Sequence, residues 1–524
     1  MKTKQNYLLL ATLAGGILFN LIFWSERLAI NLLLYSIFIL TVTFFNREVA
    51  KSIRFKLYAA AHLIAALLVV INNSDLSIAT YYISFLLFVG YSHYQGIRSV
   101  WVAFMATVIQ ILAIPATVLQ RLSHLQIGKF KIRPIIRPLK YIIIPLIIVM
   151  IFVGIYSGAN PVFGSFTDAI ANSIGTSFSK VFGFIFKDLS IGRFVHLCLG
   201  IALTGGLLLT FFNPILEKME SKLNETLFRK KNNNIVKTLW SEISHIFMGQ
   251  IISKKLALKT EYIIAVISFI ALNFILFILN GIDIWWLWLG QGKNLAETNY
   301  AADLHDGTNA LIFSIVLAMA VIIFFFRGNL NFYAQSKTLK KLAFIWMIQN
   351  FLLVISVLIR DAHYINFYGI THKRIGVIVF ALLCIIGLFT VYLKVSKQKT
   401  FFYLLKVNGN IWFAMLLLFS TINWDIFIAK YNLAQSDVIS LDADYLLSLS
   451  DKTLPILDKN SAKLRFTEAK NTSSRIYTSP QTAAFYQKLL DERIGYFKDR
   501  YKKVSWLSFN QPDWNAANYF GIKH

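Results

Sequence analysis

The chain is predicted to be all-α: a polytopic transmembrane helical bundle of about eleven spans plus one re-entrant or interfacial helix, with a small C-terminal helical extramembrane domain. Three observations predict it. Apolar runs near the roughly 20 residues that a helix needs to cross about 30 Å of hydrocarbon recur along the sequence. Hydrophobic residues make up 56% of the 524 positions and charged residues only 15%, where soluble domains hold about a quarter charged. Lys and Arg also crowd into alternate gaps between the runs, the asymmetry that orients membrane proteins.

The runs fall at residues 7–24, 28–45, 57–72, 78–93, 141–157, 191–212, 261–280, 309–326, 342–359, 375–393 and 407–422. The first follows Lys2 and Lys4 like a signal peptide, but it ends in Phe23-Trp24 rather than in small residues, so it reads as a retained span. Residues 99–119 are apolar too, yet Arg98 precedes them and Arg121, Lys129, Lys131, Arg133, Arg137 and Lys140 follow. Crossing would put that basic loop outside, and Gln110 and Pro115 interrupt the run, so it is expected to stay on the cytoplasmic side as the re-entrant or interfacial helix.

Two connectors carry helical periodicity. In 158–190, Val162, Phe166, Ile170 and Ile174 repeat every fourth residue, an amphipathic face suited to the outer interface. In 213–260, Ile235, Leu239, Ile243 and Ile246 form a similar face between Arg229-Lys230-Lys231 and Lys254-Lys255, which predicts an in-plane helix drawn to anionic headgroups. The organisation is therefore an N-terminal transmembrane module (1–157), the outer segment (158–190), one span (191–212), a basic cytoplasmic linker (213–260), a C-terminal transmembrane module (261–423) and an extracytoplasmic helical domain (424–524). The last domain should contain a helix from Pro480 to near Trp506, with Ser479 as its N-cap.

The net charge of +26 is spread through short loops rather than gathered on a soluble face, which excludes nucleic acid as a partner and leaves the lipid bilayer. Inner gaps hold Arg47, Lys51, Arg54 and Lys56, then Lys218 to Lys259, then Arg327, Lys337, Lys340 and Lys341; 281–308 holds Lys293 against Asp283, Glu297, Asp303 and Asp306. That bias places the N-terminus in the cytoplasm and the C-terminal domain outside it. The two cysteines, Cys198 and Cys384, fall inside apolar runs and suit neither a disulfide framework nor a zinc site.

Several phrases are shared with a known family. They are Leu304-His305-Asp306-Gly307-Thr308-Asn309, Phe326-Arg327-Gly328-Asn329-Leu330-Asn331, Arg360 with Tyr364-Ile365 and Tyr368-Gly369-Ile370-Thr371, then Arg374-Ile375, and Asn423, Asp425, Tyr431, Asn432, Asp442 and Tyr445-Leu446. In these, residues 260–520 resemble a bacterial family of polytopic inner-membrane proteins known only as a domain of unknown function. The resemblance implies a helical protein of the cytoplasmic membrane and supplies no activity.

The polar phrases converge on the outer ends of the last spans: Asp303, His305 and Asp306; Arg360, Asp361 and His363; Thr371, His372 and Arg374; Asn423 and Asp425. Opposite charges at one depth can latch helix ends together. The same groups can bind a small polar ligand or an envelope protein, with Arg360 and Arg374 holding an anion and Asp306 or Asp425 a cation. No HExxH spacing marks a metal, no motif marks a cofactor, and Walker, GxSxG, kinase and zincin signatures are missing. Mid-span polar candidates are His62, Gln349 and Asn350, residues suited to interhelical hydrogen bonds. The expected function is an envelope scaffold or sensor; the alternatives are a solute or lipid-linked permease and, third, a membrane enzyme acting on lipid or wall precursors. Small-residue pairs such as Ala202 and Gly206 do not decide an oligomeric state.

Overall fold

Long apolar stretches satisfy their main-chain groups internally by forming helices, and the computed structural model of this chain is all-α. It describes residues 2–46, 52–94, 96–113, 161–182, 191–209, 214–229, 255–289, 300–439, 441–464 and 483–522, with a few isolated positions between them. Among the described residues there are eighteen α-helices. Strand structure there is confined to two-residue ladders such as Gln126–Ile127 against Phe130–Lys131.

The number of spans departs from the expectation. Among the described residues five helices, not about eleven, are long and apolar enough to cross a membrane: Ile53–Asn72, Leu258–Trp288, Ser336–Tyr368, His372–Ser396 and Phe401–Phe419. At other expected spans the apolar stretch among the described residues is shorter, as in Tyr7–Phe23, Ile30–Phe45, Gly192–Leu208 and Ala310–Phe325. Residues 78–93 do lie in a long helix, Asp75–His93, but Ser77, Thr80, Ser84 and Ser92 interrupt its apolar character. Residues 141–157 fall largely outside the described residues, as do 114–119 of the expected re-entrant segment and 230–249 of the basic linker. The described part of the re-entrant segment is a 13-residue helix, Val100–Leu112.

The chain divides into two units. The first comprises residues 1–97, 102–217 and 504–511. It contains α1 (Lys2–Phe23), α2 (Ile30–Phe45), α3 (Ile53–Asn72), α4 (Asp75–His93), most of α5 (Val100–Leu112), α6 (Pro161–Phe182) and α7 (Ile191–Leu208). Helix α1 lies against α7 where Gly16 has no side chain; a Cβ there would strike the Ile201 main chain. His62 on α3 is fully buried and its ring bonds Ser84 on α4 at 2.9 Å and Ser36 on α2 at 3.0 Å, so it acts as an interhelical clamp. At one end of this unit the α1–α2 turn receives residues from the far end of the chain. The Arg27 amide donates to Ser508 Oγ at 2.8 Å, Ser508 Oγ donates to Glu26 at 2.6 Å, and the Ile30 amide donates to the Phe509 carbonyl at 3.2 Å. Asn73, after α3, donates to the Leu28 carbonyl at 2.8 Å in the same region.

The second unit comprises residues 98–101, 218–503 and 512–524. After α8 (Pro214–Ser221), its main helices are α9 (Lys255–Asp283), α10 (Tyr300–Phe325), α11 (Ser336–Tyr368), α12 (His372–Ser396) and α13 (Phe401–Phe419). Phe269, Ile322, Phe326, Leu339, Trp346 and Leu353 are among the residues of their shared core. A second core in this unit is formed by the C-terminal helices: α14 (Trp424–Ala434), α15 (Ala443–Ser448), α16 (Leu454–Lys459), α17 (Ala483–Tyr501) and α18 (Gln511–Tyr519). Helix α17 contributes Tyr486, Leu490, Ile494, Phe497 and Tyr501, spaced by three and four residues. It ends at Tyr501 rather than near Trp506, which sits in a separate 3-10 turn; Ser479 and Pro480 lie outside the described residues.

Candidate functional site at the α11–α12 turn

Helix α11 is 33 residues long, about 50 Å at 1.5 Å per residue, so it outruns a hydrocarbon layer of about 30 Å by several turns. Its apolar stretch stops at Arg360, and the turns beyond carry Asp361, His363, Tyr364 and Tyr368. The chain reverses at Gly369, whose φ of 74° is open to glycine and strained for other residues. A Cβ at this position would also collide with the Asn432 side chain. That side chain, buried on α14, accepts from the Ile370 amide at 2.7 Å and donates to the Ile370 carbonyl at 2.9 Å. Ile370 and Ile375, after the turn, belong to the core of the C-terminal helices.

Helix α12 starts at an N-cap, Thr371, whose hydroxyl accepts from the Arg374 amide. His372 Nε2 meets Asp425 Oδ1 at 2.7 Å, and adds ionic character only when protonated. Its main-chain amide donates to the Tyr445 hydroxyl at 2.9 Å. Asp425 stands in the first turn of α14, capped by Asn423, and its other oxygen accepts from the Ser450 amide at 3.2 Å. Burial pushes the Asp425 carboxyl up, but the bonds from His372 and Ser450 outweigh it and hold the group below its ordinary value. Burial raises the Tyr445 phenol. Arg374 donates to the Gly369 carbonyl and lies over the rings of Tyr364 and Tyr368, at 4.3 and 5.8 Å from their centres.

Of the residues singled out in the sequence, His372 and Asp425 meet directly, while Thr371 and Asn423 serve as helix caps. Asp361 is buried near Arg374 without forming an ion pair among the described residues, and its Oδ2 has no hydrogen-bond partner there. Arg360 turns instead to Asp283 on α9 and pairs with it. His363 is exposed. Asp303, His305 and Asp306 lie on the first turns of α10; their side chains are outside the described residues. Three participants stand outside the site candidates, although the sequence names Asp283 in an outer gap and Asn432 and Tyr445 in the shared phrases: Asp283 is 77 residues from its partner, Asn432 clamps the turn, and Tyr445 receives the His372 amide. The signal for Asn432 was Gly369-Ile370, a reversal whose main chain needs a buried polar partner.

The junction can do two things chemically. It holds the C-terminal helices to the end of α11 and α12 through charge, caps and shared core, and it presents a guanidinium between aromatic rings. Among the described residues no three of His, Cys, Asp or Glu come together as a metal site. No curated protein and no solved structure matches the chain. A family model, Domain of unknown function (DUF4153), matches residues 34–460, a stretch that holds every residue of the junction. With well over half of its 524 residues inside that match, this multi-pass membrane chain belongs to the DUF4153 family.

Proposed function

We infer that the protein is an envelope scaffold or sensor of a bacterial cytoplasmic (inner) membrane, with its N-terminus in the cytoplasm and its C-terminal domain outside. One observation carries the reading: the α11–α12 turn contributes Ile370 and Ile375 to the core of the C-terminal domain and is pinned by Asn432 and by His372–Asp425. A domain fused in this way to two membrane helices transmits a displacement to them, which is what a sensor needs and what a tethered accessory domain lacks. The orientation is supported by the basic loops read in the sequence. In the first unit, the α2–α3 connection at the end bearing Arg54 is basic, whereas residues 504–511 join the α1–α2 turn.

The partner expected is an envelope protein, or a small polar ligand, that engages the domain beside Arg374. Pull-down of the full chain from native membranes tests this. Arg374→Gln should keep normal abundance and lose the co-purifying partner. Wild-type protein that captures nothing from the envelope, or that carries solute flux when reconstituted alone in liposomes, would overturn the scaffold reading in favour of a permease.

A further inference from the structure

The interface of α9 with α11 contains more hydrogen-bond acceptors than donors, and the direction of each bond can be followed. Asn273 Nδ2 donates to the Phe269 carbonyl at 2.7 Å and to the Leu342 carbonyl at 3.1 Å, which fixes its Oδ1 as an acceptor. Gln349 Nε2 donates to that oxygen at 2.9 Å, so Gln349 Oε1 is left over. Seven residues further along α9, Asn280 Nδ2 donates to the Gln349 carbonyl at 3.0 Å, and Asn280 Oδ1 is left over. One turn on, Asp283 gives Oδ1 to Arg360, and its Oδ2 is left over. Among the described residues none of these three buried oxygens has a hydrogen-bond partner.

Asn280 and Asp283 are only 5% and 3% exposed. They stand three residues apart, hence on one face of the helix. Directly after Asp283 the helix widens into a π segment, Ile284–Trp288, where the Leu289 amide bonds the Ile284 carbonyl five residues back. Such a change moves main-chain carbonyls out of the ordinary ladder, and π segments recur at functional sites for that reason. Inside a membrane, unsatisfied acceptors are costly and call for an electropositive occupant.

We propose that Asn280, Asp283 and Gln349 form a binding site for a monovalent, oxygen-seeking cation of sodium's class between α9 and α11. Surplus carboxylate and amide oxygens are the ligands that hard cations take. The π segment directly after them is an interruption of the regular helix, the kind of feature beside which membrane proteins hold sodium. Arg360 already offsets the Asp283 charge, so no surplus negative charge is left to hold a divalent ion, and the cation is monovalent and bound through the leftover amide and carboxylate oxygens. The leftover Arg360 Nε faces the opposite need and is not a ligand.

The test uses the full chain in lipid nanodiscs, with thermal unfolding followed in sodium, lithium, potassium or choline chloride at equal ionic strength. Sodium should raise the Tm saturably by at least about 2 °C over choline. Asn280→Leu should remove that increment, and Gln349→Leu provides a second variant should the first fail to fold. Broadening of the sodium NMR line by wild-type protein, reversed by excess lithium, reads occupancy directly. Equal Tm in sodium and choline, an increment that survives both variants, or an unbroadened sodium line would overturn the site and leave ordinary buried water as the satisfying species.

Discussion

Asn432 makes two main-chain hydrogen bonds to one residue, and both groups it satisfies are buried. Removing it strands an amide and a carbonyl, so Asn432→Ala should cost about 2–4 kcal/mol of stability, measured by thermal unfolding of the purified chain. Gly369→Ala should destabilise the same turn through backbone strain and contact with Asn432. Asp425 carries a pH signature. Its carboxyl is held below the ordinary 3.8 by His372 and Ser450 against the opposing effect of burial. The folded chain therefore binds that proton more weakly than the unfolded chain. This contribution is present above the unfolded value and is lost as pH falls through the folded one. Asp425→Asn should flatten the acid limb of a Tm scan run from about pH 7 to about pH 3. The sequence exposed Asp425, His372 and the caps because each sits where an apolar run stops. It does not tell which partners Asp283 and Asn432 take, because these lie 77 and 62 residues away and local pattern carries no record of such distances.

At the scale of elements, α17 shows how the C-terminal helices are held. Arg493 and Arg500, seven residues apart on this helix, both reach Asp451, at 2.7 and 2.5 Å, and Arg493 also donates to the Leu447 and Leu449 carbonyls. Arg493→Ala removes the carbonyl bonds as well as the ion pair, so a loss of roughly 2–3 kcal/mol is expected, against roughly 1 kcal/mol or less for the exposed Lys488→Ala. Limited proteolysis, with cleavage accelerated in the first variant only, checks this. Helix existence was legible from apolar length and spacing. Span number was not, for two reasons seen in particular helices. Hydroxyl residues in α4 bond within the bundle, Ser84 to His62 and Ser77 in its capping box, so length there does not mean lipid. Ile30–Phe45 is apolar but, at 16 residues, shorter than the usual crossing length.

At the scale of the whole molecule, the orientation proposed above has a direct test. A reporter enzyme active only outside the cytoplasm, fused after His524, should be active, and the same reporter fused after Asn46 should be silent. The reverse pattern would remove the extracytoplasmic domain and with it the envelope partner. A further consequence concerns biosynthesis. Residues 504–511 complete the first unit, yet Ser508 follows its partner Arg27 by 481 positions. At about 5–20 residues per second a ribosome needs roughly 25–100 s to cover that interval. The opening hairpin must therefore wait with Glu26 and the Arg27 and Ile30 amides uncommitted to this segment, a nascent state for chaperones and quality-control proteases to recognise until the closing segment is made.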